Sequence, residues 1–379
     1  MKKTLLLLSL CLLLAACSSD EPDTPATPAR RTVLVYMVAT NSLGANERDQ
    51  QDLDEMDRAV TAGGLNGCRW LVYRVAPGEQ NPTLFEIKKN KHGTAVHEVL
   101  EVYPSTQCAS VTAERMSEVI ADARRYAPAQ DYGLVLWSHA TGWAPSLTTK
   151  AAAPRRVFGE DNGATMPLHV LAGAIPQGVF SWIYADVCYM GAVEVAYQLR
   201  DRCRYFVGYP TEIPARGMPY DVTLPMLCAQ QAQLAEACRA TFDHYNAQSG
   251  NDRTFTAAVV DCAQLDALAA LCRRIHADDT ERPSLAGMQC YNLNGYHFLY
   301  DFVQYTQACA TTEQAAELQA LYNKVVLYKV ATRTVFNRIL IDTDRFSGLS
   351  TYVPGTSPDV NEDYYVTLDW AKAIATPVQ

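Results

Sequence analysis

Runs of apolar residues alternate with amphipathic stretches along most of the chain. Runs rich in β-branched and aromatic residues occupy 32–39, 70–75, 132–138, 180–187 and 205–208. Segments with the apolar spacing of helices lie between some of them, at 47–62, 110–127 and 192–199. Near-continuous apolar strands that alternate with helices are typical of a parallel sheet covered on both faces. The pattern therefore predicts an α/β fold with a mostly parallel sheet between helices, and a hairpin at 83–88 and 95–102.

The second half of the chain predicts helices and fewer strands. Helical patterns occupy 224–248, 263–276, 312–324 and 364–373, and strand patterns occupy 254–261 and 348–354. No interdomain linker rich in Gly, Ser or Pro separates these elements from the first half. We therefore predict one domain over residues 30–379, with a C-terminal elaboration of helices and strands.

The N-terminus has the pattern of an export signal. Lys2 and Lys3 precede an apolar run at 5–14, which is too short to span a bilayer but long enough for the core of a signal peptide. The run ends in LAAC (14–17), which resembles the lipobox of bacterial lipoproteins. We predict a signal peptide over residues 1–16 and a lipid anchor on Cys17. An ordinary cleaved signal followed by an incidental cysteine is the alternative.

Residues 17–29 are polar and rich in proline, which predicts a flexible tether rather than packed structure. Serine and acidic residues directly after Cys17 resemble a surface-export signal of some Gram-negative lipoproteins, although acidic residues also keep a linker solvated. We therefore expect a lipid-anchored protein of the outer membrane or cell surface of a Gram-negative bacterium.

Charge and cysteine spacing exclude two classes of function. The formal net charge of −9 makes nucleic acid an unfavourable partner. The 12 cysteines form no C-x-x-C pair, so a thiolate metal site is not predicted. Disulfide pairing among them stays open.

Two predicted strands end in reactive side chains. The run at 132–137 leads into His139, and the run at 180–186 leads into Cys188. In an open parallel sheet, ligands bind beyond the carboxyl ends of the strands. A helix after Cys188 would favour the thiolate through its N-terminal dipole, and a neighbouring imidazole could protonate a departing amine. A single cysteine is more often a buried apolar residue, but the two strand ends together favour a Cys/His pair.

Four segments together resemble the clostripain family of cysteine peptidases: WSHATGW (137–143), FGEDNG (158–163), DVCYMG (186–191) and GLSTYVP (348–354). The likeness runs from about residue 32 to about residue 372. It implies a caspase-like three-layer sandwich, with Cys188 as nucleophile and His139 as its acid/base partner.

The resemblance also implies roles for residues around this pair. The backbone N–H groups of Cys188 and Ala140 would hold the oxyanion, although Ala140 replaces the glycine that is usual in the family. Specificity for arginine or lysine before the scissile bond would come from Asp186, with Glu212 as a second acid. A helix-capping role for Asp186 is the alternative. Val187, where the family usually has alanine, adds only bulk.

Some relatives mature by cutting themselves between the histidine and cysteine motifs, where this chain carries Lys150, Arg155 and Arg156. Calcium assists some family members, but the sequence contains no EF-hand-like loop, so no cofactor is required and calcium stays open. We expect a cysteine endopeptidase that cuts peptides or proteins after basic residues. The alternative, which Ala140 supports, is an inactive surface lipoprotein that binds peptides or partner proteins.

Overall fold

The computed structural model describes residues 28–144, 158–278, 282–292, 297–358 and 360–375. Fifteen strands lie in this part of the chain. They are β1 (Ala29–Val38), β2 (Cys68–Val75), β3 (Thr83–Lys89), β4 (Ala95–Val102), β5 (Ala129–Trp137), β6 (Phe158–Asp161), β7 (Ala164–Met166), β8 (Phe180–Asp186), β9 (Cys203–Gly208), β10 (Thr256–Asp261), β11 (Leu299–Asp301), β12 (Val326–Ala331), β13 (Thr334–Val335), β14 (Ile339–Leu340) and β15 (Ser350–Tyr352).

Twelve α-helices lie in the same ranges, with short 3₁₀ turns at Gly250–Asp252 and Cys262–Gln264. The helices are α1 (Ser42–Ala45), α2 (Arg48–Thr61), α3 (Ala113–Tyr126), α4 (Leu168–Ala174), α5 (Val193–Gln198), α6 (Tyr220–Leu227), α7 (Leu234–Asn246), α8 (Leu265–Asp278), α9 (Phe302–Cys309), α10 (Thr312–Val325), α11 (Glu362–Tyr365) and α12 (Asp369–Ile374).

Nine strands form one sheet in the order β12-β10-β9-β8-β5-β1-β2-β3-β4. The five central strands, from β9 to β2, are parallel, and the two outer strands at each end pair antiparallel. The predicted mostly parallel sheet is therefore confirmed, and the predicted hairpin corresponds to β3 and β4. Parallel neighbours bring their carboxyl ends to one edge, as the chemistry proposed from the sequence requires.

Helices cover both faces of this sheet, as the predicted three-layer sandwich requires. Alternate residues of β1 point to opposite faces, so Leu34 and Tyr36 join one apolar core while Val33 and Val35 join the other. Helices α3, α4, α5 and α8 pack on the first face, and α2, α6 and α7 pack on the second. The C-terminal elaboration also reaches the first core, because Trp370 of α12 contacts the ring of Tyr197 in α5.

Two helices predicted from the sequence are interrupted. The pattern at 224–248 forms the end of α6 and the whole of α7, because the chain turns after Leu227 and Gln233 donates its N–H back to the carbonyl of Met226. The pattern at 364–373 forms α11 and α12, with the hydroxyl of Thr367 bonded to the carbonyl of Tyr364 at the break. Periodicity alone missed both breaks, because the apolar spacing continues through them.

The predicted signal peptide, Cys17 and nearly all of the tether lie outside the described residues, as do Lys150, Arg155 and Arg156. In the part that the structure describes, no helix has the length and apolar character needed to cross a membrane. Near the start of β1, Arg31 is buried and pairs with Asp131 at 2.5 Å.

Close contact between β5 and β8 generates a stability prediction. A Cβ added to Gly133 would lie 2.0 Å from the buried ring of Trp182, so Gly133→Ala forces the ring or the strand to move. We expect the free energy of unfolding in urea to fall by about 1–3 kcal/mol. Gly173→Ala, in open space on α4, is the matched control and should change it by less than about 1 kcal/mol. Equal effects of the two substitutions would contradict the packing argument.

Candidate active site

His139 and Cys188 lie at the carboxyl ends of neighbouring parallel strands. Trp137, the last residue of β5, is paired with Asp186, the last residue of β8. His139 and Cys188 each follow two residues later, and both line one cavity of about 430 Å³. Adjacent strands lie about 5 Å apart, so this register brings the two side chains to one cleft. Both residues are half-buried, not sealed in the interior.

The Cys188 thiol lies against the backbone of Ile213. The N–H of Ile213 donates to the sulfur at 3.5 Å, and the thiol reaches the carbonyl of Ile213 at 4.0 Å. Burial raises the pKa of Cys188 to about 12, and the nearby carboxylates of Glu212 and Asp186 raise it further, against the N–H of Ile213. The expectation that a helix dipole favours the thiolate is therefore not met. Helix α5 begins only at Val193, and its field decays within the first turn.

The imidazole of His139 contacts the turn that follows β1. Its Nε2 lies 2.7 Å from the hydroxyl of Ser42. The carbonyl of His139 accepts the N–H of Gly159, which ties the histidine loop to the segment that begins β6. Histidine is therefore held both through its backbone and through its ring.

Asp186 is a buried carboxylate in the wall of the same cleft. It accepts hydrogen bonds from the hydroxyl of Tyr220 at 3.0 Å, the hydroxyl of Tyr209 at 3.3 Å and the N–H of Met218 at 3.1 Å. A Cβ added to Gly217 would lie 2.8 Å from its Oδ2. Burial raises the pKa of Asp186 to about 6 in spite of these donors. The capping alternative does not describe these contacts, because the donors come from a distant part of the sequence.

Two further acids lie behind Asp186 on α2. The indole N–H of Trp137 donates to Asp52 at 2.6 Å, and Glu55 accepts the N–H of Tyr220 at 2.8 Å. Burial, and then the charge of Asp186, raise the pKa of Asp52 well above its usual value, and burial also raises the pKa of Glu55. The region beneath the cleft is therefore rich in carboxyl groups.

Glu212 lines the cleft beside Cys188. Its carboxylate accepts the hydroxyl of Tyr189 at 3.1 Å, and burial raises its pKa. Residues 209–219, which we call the β9–α6 loop, thus supply Glu212, the backbone that contacts the thiol and three of the groups around Asp186. Of the two predicted specificity acids, Asp186 has the larger set of hydrogen-bond partners.

Ala140 does not have a positive φ, so the backbone at this position does not need the glycine that is usual in the family. It is buried and forms a bridge with Phe158. The positive φ in this loop belongs instead to Gly142, at +70°, where an added Cβ would lie 2.6 Å from the carbonyl oxygen of Tyr189. Alanine at position 140 is therefore compatible with the observed backbone, and the feature that supported an inactive protein is weaker than the sequence indicated.

The GLSTYVP segment (348–354) braces the region that follows Cys188. Ser350 donates its N–H to the carbonyl of Gly191, and Glu194 accepts the N–H of Tyr352 at 2.8 Å. The rings of Trp143 and Tyr352 pack edge to face with centroids 5.1 Å apart. Burial raises the pKa of Glu194 to about 7. This segment therefore acts by positioning that region.

Several cleft residues were not predicted from the sequence. Apolar side chains that line it include Leu43, Ile213, Pro214 and Phe336, the last in the turn between β13 and β14. Ser42 was missed as well, because nothing in the short turn after β1 distinguishes it from an ordinary surface serine. Their roles depend on contacts between distant parts of the sequence. For the acids Asp52 and Glu55, their spacing on the predicted helix was the local feature from which they could have been found.

Within the described ranges, no group of three or more His, Cys, Asp or Glu side chains could hold a metal ion.

Comparison with known proteins agrees with the geometry. A model of the clostripain family matches residues 35–375. A secreted C11 cysteine protease from Bacteroides thetaiotaomicron, solved with an irreversible peptide inhibitor, is 28% identical, with a TM-score of 0.78 over 91% of this chain and 99% of that one. An inactive zymogen C11 protease from Parabacteroides distasonis is 32% identical, with a TM-score of 0.80 over 92% of this chain and 99% of that one.

A search of curated proteins gives no match. The family model covers most of the chain, and the structural neighbours share its whole architecture. The caspase-like α/β fold inferred from the sequence is thereby confirmed, as is the resemblance on which it rested. This chain belongs to the clostripain family of cysteine peptidases.

Proposed function

We propose that the protein cuts peptide bonds after arginine or lysine through a dyad of Cys188 and His139. The observation that carries this proposal is the single cleft at the ends of β5 and β8, which contains the thiol, the imidazole and the Asp186 carboxylate. A sulfur nucleophile, a proton carrier and an acid for a basic side chain are the groups that such a reaction needs.

The first step is attack of the Cys188 sulfur on the scissile carbonyl, with the thiol proton passing to His139. Because burial raises the pKa of the thiol, we propose that transfer of this proton accompanies the attack. The backbone N–H groups of Cys188 and Ala140 support the oxyanion, and His139 then protonates the leaving amine. Water, deprotonated by His139, hydrolyses the resulting thioester.

Asp186 binds the basic side chain of the residue before the scissile bond. Its three donors keep the carboxylate oriented, and at neutral pH it is mostly ionised because its pKa is about 6. Gly217 leaves room beside Oδ2 that any larger residue would fill. Glu212 contributes negative charge to the cleft, and the substrates are peptides or proteins with basic residues.

Export and anchoring through Cys17 belong to the same proposal. They rest on the N-terminal pattern described above, and the neighbour from B. thetaiotaomicron is itself a secreted protease. Labelled palmitate incorporated into the wild-type chain, but not into Cys17→Ala, would establish the anchor.

The dyad generates a direct activity prediction. Hydrolysis of a fluorogenic peptide with arginine before the reporter should fall by at least about 10³-fold in Cys188→Ala and in His139→Ala, because each step needs both groups. Cys108→Ala, which removes a half-buried thiol that does not line the cleft, should retain wild-type turnover. Each enzyme should be measured with and without calcium and after limited proteolysis. Turnover that survives Cys188→Ala would rule out the dyad.

Substrate preference tests the two acids. Asp186→Asn removes the charge beneath the cleft but keeps the shape, so kcat/KM for arginine substrates should fall about 10²- to 10³-fold, as expected for loss of a buried charge pair. Glu212→Gln should cost less than about tenfold. A matched substrate with norleucine in place of arginine measures the effect without the charge, and it should change little in either variant. A larger loss of kcat/KM in Glu212→Gln than in Asp186→Asn would mean that Glu212, and not Asp186, is the main specificity acid.

The pH dependence follows from the Asp186 carboxyl. Burial raises its pKa to about 6, so below that pH it is protonated and neutral. For arginine substrates, kcat/KM should therefore rise with pH through about 6 in the wild type. The ratio of arginine to norleucine kcat/KM isolates this group from the dyad, and it should lose its pH dependence in Asp186→Asn. A ratio that is flat from pH 5 to 8 in the wild type would contradict the assignment.

A further inference from the structure

The turn after β1 places a hydroxyl on the catalytic imidazole. Ser42 is the first residue of α1, and its Oγ lies 2.7 Å from Nε2 of His139. Because β1 and β5 are adjacent parallel strands, the turn after β1 and the loop after β5 leave the same edge of the sheet side by side. The contact therefore joins two strand ends, as the contact between β5 and β8 does.

Asn41 holds this turn in place. Its side-chain amide donates to the carbonyls of Val38 and Glu160, both at 2.9 Å, and its Oδ1 accepts the N–H of Leu43. The same amide lies 3.3 Å from the hydroxyl of Ser138, the residue before His139. The residues that precede Ser42 and His139, namely Asn41 and Ser138, are thus joined by a hydrogen bond between their side chains.

We propose that Ser42 is a positioning residue of the peptidase, which accepts a hydrogen bond from Nε2–H of His139 and so makes Nδ1 the nitrogen that exchanges protons with Cys188. The proposal rests on the Cys188–His139 dyad. A neutral imidazole carries one N–H and one acceptor nitrogen, and the partner of one nitrogen decides which tautomer is present. With the proton held on Nε2, the acceptor is Nδ1.

The proton transfers then balance through Nδ1. The thiol proton of Cys188 moves to Nδ1 as the sulfur–carbon bond forms, which gives an imidazolium with both nitrogens protonated. The Nδ1 proton passes to the leaving nitrogen as the carbon–nitrogen bond breaks, and the ring returns to its starting tautomer. The Nε2–H bond to Ser42 is kept throughout and stabilises the imidazolium.

Exposure of Ser42 allows a clean test. The residue lies at the surface, so Ser42→Ala should leave the melting temperature unchanged. We expect kcat for an arginine peptide to fall about tenfold with KM unchanged, as loss of one oriented hydrogen bond predicts. The acidic limb of the pH profile of kcat should move to lower pH, because the imidazolium loses an acceptor and the neutral ring that takes the thiol proton forms at lower pH. Ser42→Thr, which keeps the hydroxyl, should restore both properties.

Ser105→Ala, at another exposed serine that does not line the cleft, is the control. If kcat in Ser42→Ala stays within twofold of the wild type, or falls without a shift of the acidic limb, the positioning role is wrong. Either result leaves the dyad intact, provided that Cys188→Ala and His139→Ala are inactive. If those two variants retain activity, the dyad itself fails.

Discussion

The parallel register between β5 and β8 is the constraint on which the site depends. Trp137 is paired with Asp186, so the residues that follow them leave the sheet at the same level. A slip of one residue would turn every side chain of one strand to the opposite face. Gly133 and Trp182 oppose such a slip, because the indole ring occupies the space above the glycine. Core packing in the middle of the sheet thereby specifies the geometry at its edge.

Beyond the sheet, the loops that carry His139 and Cys188 are held by polar contacts from three separate parts of the chain. The turn after β1 contacts the histidine loop, the β9–α6 loop contacts the cysteine, and the segment around β15 contacts Glu194. Buried carboxyl groups take part in the contacts around these loops, Glu194 with Tyr352 and Asp186 with Tyr220. Burying a carboxyl group costs free energy unless hydrogen bonds compensate. The donors around each buried carboxyl group must therefore lie in one definite arrangement. This explains why residues with no chemical role form recognisable motifs.

The sequence predicted the parts of the structure that local pattern determines. Apolar periodicity located the central strands and most helices, and the strand ends located His139, Cys188 and Asp186. The positions of the β9–α6 loop and of the turn that carries Phe336 could not be predicted, because they depend on contacts that span 34 and 82 positions of the sequence. The hydrogen bond of Phe336 to Thr254 and that of Tyr220 to Asp186 are examples. The resemblance to a family supplied roles for residues whose chemistry is ambiguous alone, since an aspartate at a strand end can cap a helix as readily as bind a cation.

The state of the Cys188 thiol connects these observations to mechanism. Sequence reasoning expected a helix to stabilise the thiolate, but helix α5 begins five residues after Cys188, and the charges of Glu212 and Asp186 add to the burial that raises the pKa of the thiol. Under the proposed specificity, the acids that would attract a basic side chain therefore also oppose ionisation of the thiol. A bound arginine or lysine would neutralise Asp186 and remove part of that opposition. On this argument, binding of the preferred side chain would favour loss of the thiol proton, but burial is the larger cause of the raised pKa, so most of the activation depends on His139.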